Sequence, residues 1–229
     1  MFRAKTMSSF VYEALRGEIV GLKQKPGERL SEDRLAKKYK VSRAPIRAAI
    51  QKLQKENLVL VKPQVGTIVS PISLEKGIEI CEVRQLLEPF AAAIAAERIG
   101  YKEEGILTAQ FKKLAQLEDT REDKKELIFE TDRLLHRTIW KLCGNREIES
   151  ILEGYQDEMN RIRLATAELA NRMIPTQREM KKIYSAIMKR NGQAAREAMQ
   201  DHILKIKKAV EAVIRSITDS AMGHEKGRG

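Results

Sequence analysis

The chain has 229 residues, 42% of them apolar and 33% charged, with a formal net charge of +11. That balance excludes an intrinsically disordered or low-complexity protein, and no apolar run approaches the ~18 residues a membrane-spanning helix needs. The charge is uneven: residues 1–70 hold 15 Lys and Arg against 6 Asp and Glu, or +9, and the remainder holds 28 against 26, or +2. A basic head on a nearly neutral body is the electrostatic pattern of a nucleic-acid-binding segment.

Aromatics are 5% of the chain, and plentiful Ala, Leu, Ile, Lys and Glu favour helices. The opening "MFRAKTMSSF" lacks the hydrophobic stretch of a secretion signal. Cys81 and Cys143 lie in apolar helical patterns and read as reduced thiols. Both features lead to the expectation of a cytoplasmic protein.

In chain order, "SSFVYEALRGEIVGL" carries Val11, Leu15, Ile19 and Leu22 at helical spacing, with Ser8 or Ser9 as its cap. Pro26 and Gly27 signal a turn, Ser31 caps a short helix in "SEDRLAKKY", and "KVS" makes a tight turn. Ser42 caps "RAPIRAAIQKLQKENL", with Pro45 in its first turn, where a missing N–H costs little. "LVLVKP" and "GTIVSP", joined by Pro63, Gln64, Val65 and Gly66, predict a small hairpin. Helix, short helix, tight turn, helix and hairpin make a winged helix-turn-helix, whose second motif helix enters the major groove with its N-terminal residues toward the bases.

Arg43 and Arg47 share one face near that N-terminus. Arginine can pair bidentately with guanine O6 and N7 or with phosphate. Ile46, Ile50 and Leu53 hold the opposite face to the core. Ser42 and Lys62 are candidate phosphate contacts, and Gly66 lets the wing backbone approach DNA closely.

"PGERLSEDRLAKKYKVSRAPIRAAIQKLQKENLV", followed by "GTIV", resembles the N-terminal domain of GntR-family bacterial transcription regulators, over about seventy residues. The resemblance implies DNA contacts at Arg43, Arg47, Ala44, Pro45 and Gly66. Three positions depart from the family pattern. Lys40 and Asn57 stand where glycine is usual, at sites that call for a left-handed backbone. Asp33 stands where the family often has a DNA-contacting arginine, so either the neighbouring Arg34 compensates or one contact is lost, which bears on the operator sequence and not on DNA binding.

After the linker "PISLEKG", "LEKGIEICEVRQLLEPFAAAIAAERI" reads as helix, with breaks expected near Gly77 and a bend at Pro89. Further helices are expected at 102–118, 122–143, 146–170, 174–190 and 193–216. The fold class is therefore mainly α: a winged helix-turn-helix over residues 1–72, an antiparallel bundle of six or seven helices over 73–217, and a disordered tail over 218–229.

The bundle has a chemical oddity. In "ETDRLLHRTIW", Asp132 and His136 are one turn apart on the stripe of Ile128, Leu135, Ile139 and Cys143, so an acid and a base face inward. His202 shares a face with Ala195, Met199, Ile203, Ile206 and Val210 and also points inward, while His224 falls in the tail. Two imidazoles and a carboxylate in a bundle make either a divalent metal site for zinc, nickel or manganese, or a polar core cluster.

"EVRQLLEPFAAAIAA", "TDRLLHRTIWKLCGN" and "IYSAIMKRNGQAAREAMQDHI" resemble the FCD effector domain of the FadR subfamily. The resemblance implies a metal held by one aspartate and three histidines beside a small carboxylate effector. Asp132, His136 and His202 match three of these positions; the fourth is Met180, on an inward stripe with Ile183, Tyr184 and Ile187. A thioether is a poor ligand for those metals. Three outcomes stay open: a three-ligand metal site, a metal-free site whose histidines bind the effector, or a core cluster with Met180 as packing. Arg84 lies where the family has effector-pocket residues, with an ion pair to a residue such as Glu88 as its other reading.

The expected function is a homodimeric, DNA-binding transcriptional repressor that reads a pseudo-palindromic operator and responds to a small carboxylate. The rivals are a dimeric DNA-binding regulator without metal or effector, and a metal-dependent hydrolase. The second leaves the DNA-binding head unexplained, so no enzyme is expected.

Overall fold

The computed structural model of the protein describes residues 6–116, 122–166 and 172–226, and of 122, 123 and 217–226 the backbone alone. It divides into two compact units. One runs as far as Ser73 and includes Asn160–Ala165; the other holds Leu74–Met159 and the chain from Thr166 onward.

The first unit contains α1 (Met7–Val20), β1 (Arg29–Leu30), α2 (Glu32–Tyr39), α3 (Arg43–Lys55), β2 (Val59–Lys62) and β3 (Gly66–Val69). Thr6, rather than Ser8 or Ser9, caps α1: its side chain accepts from Ser9 N at 3.3 Å, and Ser9 Oγ donates back to Thr6 O at 2.9 Å. The apolar stripe of α1, Val11, Leu15 and Ile19, is fully buried and packs with α3 through Ile46, Ala49, Ile50 and Leu53. Each such Leu or Ile contributes roughly 1.5–3 kcal/mol by leaving water.

The wing is larger than a hairpin. The sheet order is β1-β3-β2, with Leu30 paired to Thr67 and Lys62 to Gly66. β1 has only two residues, too few to carry an alternating pattern, and this hides it from the sequence.

The turn between α2 and α3 is set by Lys40, which adopts the left-handed conformation at φ 55° and ψ 46°. Asn57 does the same at φ 58°. The left-handed region costs a residue with a Cβ about 1–2 kcal/mol, while glycine carries an entropic cost of about 0.5–1 kcal/mol. Lys40→Gly is therefore expected to stabilise the unit by up to about 1 kcal/mol. In urea unfolding the midpoint should rise at constant slope; an unchanged or lower midpoint would mean the turn is unstrained.

The second unit contains α4 (Leu74–Arg98), α5 (Tyr101–Gln116), α6 (Glu122–Cys143), most of α7 (Arg146–Thr166), α8 (Met173–Met188) and α9 (Gly192–Lys226). α4 runs unbroken through Gly77 and carries Pro89 in its interior, which removes one helical hydrogen bond one residue after Glu88. It packs against α9, α6 and α8. Ala91, Ala92, Ala95 and Ala96 are fully buried, and their small side chains permit close helix approach. A Cβ on Gly192 would lie 3.0 Å from Ala93 O, so glycine lets α9 start directly against α4.

The stretch expected as a disordered tail is helical backbone as far as Lys226, and residues 227–229 lie outside the described residues. No proline interrupts residues 218–226, and Gly223, the one glycine among them, costs a helix only about 1 kcal/mol. The protein is mainly α, a winged helix-turn-helix followed by a helical bundle.

Candidate functional site

In the first unit, α3 buries Ile46, Ala49, Ile50 and Leu53 and exposes Arg43, Ala44, Arg47 and Ala48. Ser42 is the N-cap residue of α3, but its side chain makes no capping bond, so the hydroxyl is left for another acceptor or donor. Ser42, Ala44, Pro45 and Ala48 line a groove with Lys40, Val41 and the start of α1. At the wing tip Gln64 has φ 61° and Gly66 φ 93°. Lys62 is exposed. The guanidinium of Arg29 lies over Gly66, 3.6 Å from where a Cβ would be. These cations and the start of α3 belong to one folded unit, as a major-groove reader with a wing requires.

Arg34, Arg43 and Arg47 are not bare. Arg34 Nη2 meets Glu28 Oε1 at 2.8 Å, Arg43 Nε meets Asp33 Oδ1 at 2.5 Å, and Arg47 Nε meets Glu32 Oε2 at 2.8 Å. The Glu32 hydrogen bond and charge hold the Arg47 guanidinium above its ordinary pKa.

In the second unit, α4, α6, α8 and α9 send polar side chains to one buried point. The Nε2 atoms of His136 and His202 lie 3.3 Å apart. Asp132 Oδ1 is 3.6 Å from the first and 3.5 Å from the second. On the far side of each ring, Nδ1 meets a carboxylate: His136 meets Glu88 Oε2, and His202 meets Glu179 Oε2 at 2.9 Å. Each carboxylate is held in turn by an arginine. Arg84 Nε donates to Glu88 Oε1 at 2.5 Å, and Arg172 forks onto both oxygens of Glu179 at 3.1 and 2.6 Å.

This wiring has a consequence. A carboxylate at Nδ1 favours the Nδ1–H tautomer of a neutral ring, so each Nε2 turns a lone pair toward the other ring and Asp132 when its own ring is unprotonated. Asp132, Glu88 and Glu179 carry three negative charges, Arg84 and Arg172 two positive ones. Lys205 also reaches Glu179, at 3.9 Å, but it is paired with Asp201 at 2.6 Å. A proton fits among these carboxylates: burial opposes charging His136, but Glu88 and then Asp132 outweigh burial and raise it to about 9. Burial likewise opposes charge on Glu88, yet Arg84 and then His136 hold that carboxyl at about 2.

A divalent ion fits the same point. Asp132, His136 and His202 are the one such group of potential ligands among the described residues. Ligands about 2.1 Å from one tetrahedral ion stand about 3.4 Å apart, close to the spacing here, and two imidazoles with a carboxylate suit zinc, nickel or manganese. The residues fit a metal. Met180 is fully buried in the apolar core with Ile183 and Met199. Arg84 is buried as well, its Nε committed to Glu88.

Comparison with known proteins bears on both units. The family model for bacterial regulatory proteins of the gntR family matches residues 7–69, and the FCD domain matches 79–205, more than half of the chain. The chain is an FCD-containing member of the GntR family. It is thereby a transcriptional regulator, and the families and relatives it matches are regulators rather than enzymes.

Among its GntR relatives, the HTH-type transcriptional repressor RspR of Escherichia coli K12 is 26% identical over 211 residues, covering 91% of each chain. The HTH-type transcriptional repressor GlaR of the same organism is 26% identical over 200 residues, 84% of this chain and 90% of that one. The solved structure of E. coli McbR/YncC superposes with a TM-score of 0.75 at 19% identity, over 91% of this chain and 99% of that one, a likeness of fold.

Sequence reasoning missed three participants in this GntR regulator. Glu179 looks like an ordinary surface charge of an amphipathic helix and Arg172 falls between the expected helices 146–170 and 174–190; only the packing of α8 against α9 brings Glu179, with Arg172 on it, to His202. Arg29 was hidden with β1. Glu88 was legible as a partner of Arg84 four residues earlier, but not as the anchor of His136, 48 residues away.

Proposed function

We propose that the protein is a cytoplasmic, homodimeric repressor of the FadR subfamily. In this reading residues 1–72 bind a pseudo-palindromic operator through Arg34, Ser42, Arg43, Ala44, Pro45, Arg47, Lys62 and Gly66. Residues 73–217 bind a small carboxylate effector at a divalent metal held by Asp132, His136 and His202.

The observation that carries the effector half is the triangle of Nε2, Nε2 and Oδ1 at the spacing of ligands around one ion. A bound divalent ion there would supply a Lewis acid with open positions for a carboxylate. Glu88 and Glu179 fix the two rings, and Arg84 and Arg172 neutralise those carboxylates. Repression by the relatives RspR and GlaR supports the sign of control. No helix among the described residues is long and apolar enough to cross a membrane. To regulate, the effector must favour one arrangement of the DNA-binding units by differential affinity.

A thermal-shift screen of dicarboxylates and sugar acids, with zinc, nickel or manganese and after metal removal, tests this reading. At a hundred times its dissociation constant, an effector stabilises the native state by about 2.7 kcal/mol. The expected hit stabilises only with metal present and lowers affinity for a duplex enriched by the protein from a random pool. Equal stabilisation without metal would instead favour the metal-free reading, in which protonated His136 meets the anion. That alternative has its own support, since the raised His136 pKa of about 9 requires no metal. Stabilisation by no carboxylate under either condition would leave a plain dimeric DNA-binding regulator.

A further inference from the structure

The three arginines of the DNA face are matched by three carboxylates, Glu28, Glu32 and Asp33, so this cluster adds nothing to net charge. The excess of +9 in residues 1–70 resides in other side chains, chiefly lysines. Long-range attraction to a polyanion therefore comes from the lysines, and the paired arginines do something else.

The geometry of the pairs indicates what. Asp33 and Glu32 open α2, and each engages the Nε edge of an arginine on α3. A guanidinium has five N–H donors in a fixed planar fork. With Nε taken, the terminal amino pair remains, and that pair can grip two acceptors side by side, such as guanine O6 and N7. Both arginine side chains stay 62% exposed, and Asp33 itself 59% exposed, so the pairs sit on the surface.

We propose that Asp33 is a specificity-determining positioning residue: it docks the Nε edge of Arg43, aims the terminal amino pair at the duplex, and opposes duplexes that offer only phosphate. The proposal rests on the DNA-binding reading of α3. A negative charge on a face that meets phosphates disfavours every duplex alike. A directed fork gains only where the right base stands. Together they lower non-specific binding more than specific binding, which is discrimination by an added repulsive element.

The test uses the full-length protein, a duplex enriched by the wild type from a random pool, and a scrambled duplex of the same composition. Affinities for both are read by fluorescence anisotropy over a salt series. Asp33→Asn removes the charge and keeps an oxygen for Arg43 Nε; Asp33→Ala removes both. Both variants are expected to bind the scrambled duplex about three- to tenfold more tightly, with a steeper salt dependence. Asp33→Ala should also lower the preference for the enriched duplex about tenfold, with Asp33→Asn intermediate. Equal tightening on both duplexes in both variants would make Asp33 a bare repelling charge and overturn the positioning role. No change on either duplex would overturn the proposal entirely. A wild type that enriches no duplex, or an Arg43→Ala variant with undiminished preference, would instead sink the DNA-binding reading of α3, and this proposal with it.

Discussion

Arg47→Ala is expected to weaken binding to the enriched operator duplex about ten- to hundredfold and to relax base preference at the position it reads. The side chain is 62% exposed and pairs with Glu32 at the surface, so its removal disturbs no core packing. Alanine is the better helix former, and an exposed ion pair contributes little to stability. The melting temperature should therefore hold while binding falls, which separates recognition from folding. Lys62→Ala provides the contrast. At the wing tip, and without a base to read, it should weaken enriched and scrambled duplexes alike and reduce the salt slope by about one. A gel-shift titration in which Arg47→Ala binds the operator like the wild type would move the recognition face away from α3.

The winged helix-turn-helix was legible because each of its parts has a local signature. Val11, Leu15 and Ile19 mark a buried stripe, Ser31 caps α2, and Pro45 sits where a missing N–H is tolerated. Lys40 and Asn57 were legible as left-handed positions only through the resemblance, and both adopt that conformation. The bundle helices were legible for the same reason of periodicity, most clearly α6 with Leu135 and Ile139.

What the sequence hid was long-range. Asp132 and His136 are one turn apart and announce themselves, and His202 shares an inward face. The carboxylates that set their tautomers come from other helices, and nothing local distinguishes Glu179 from a solvated glutamate. The pairing of Asp33 with Arg43 was hidden too. From sequence, Asp33 was a lost contact or one replaced by Arg34; in the structure it is a partner of the recognition helix, and Arg34 is tied to Glu28.

Loss of either imidazole is expected to abolish metal uptake. Elemental analysis of protein purified without chelator or nickel resin should give close to one equivalent per chain for the wild type, and less than about a tenth for His136→Ala or His202→Ala. Met180→Leu, which conserves volume, should leave uptake unchanged, because the thioether is packed in the apolar core. A tenfold fall in affinity for that variant would make the sulfur a ligand.

The pH dependence follows from the buried pair of His136 and Glu88. His136 is raised from an ordinary 6.5 to about 9, so its stabilising proton is fully present below 6.5 and is lost as pH climbs through 9. Glu88 is depressed from 4.5 to about 2, so its contribution is fully present above 4.5 and is lost as pH falls through 2. With His136 protonated and Glu88 ionised, this pair therefore stabilises the metal-free protein most between 4.5 and 6.5. A metal needs the same Nε2 lone pair, so it must displace the His136 proton. Its apparent affinity should rise about tenfold per pH unit between 6.5 and 8.5 and then level off. Over that interval the metal-free protein should lose thermal stability while the metal-loaded protein keeps it. Competition titrations and melting curves across the interval read both effects. An affinity that stays flat with pH would mean that the proton on His136 and the metal do not share one place.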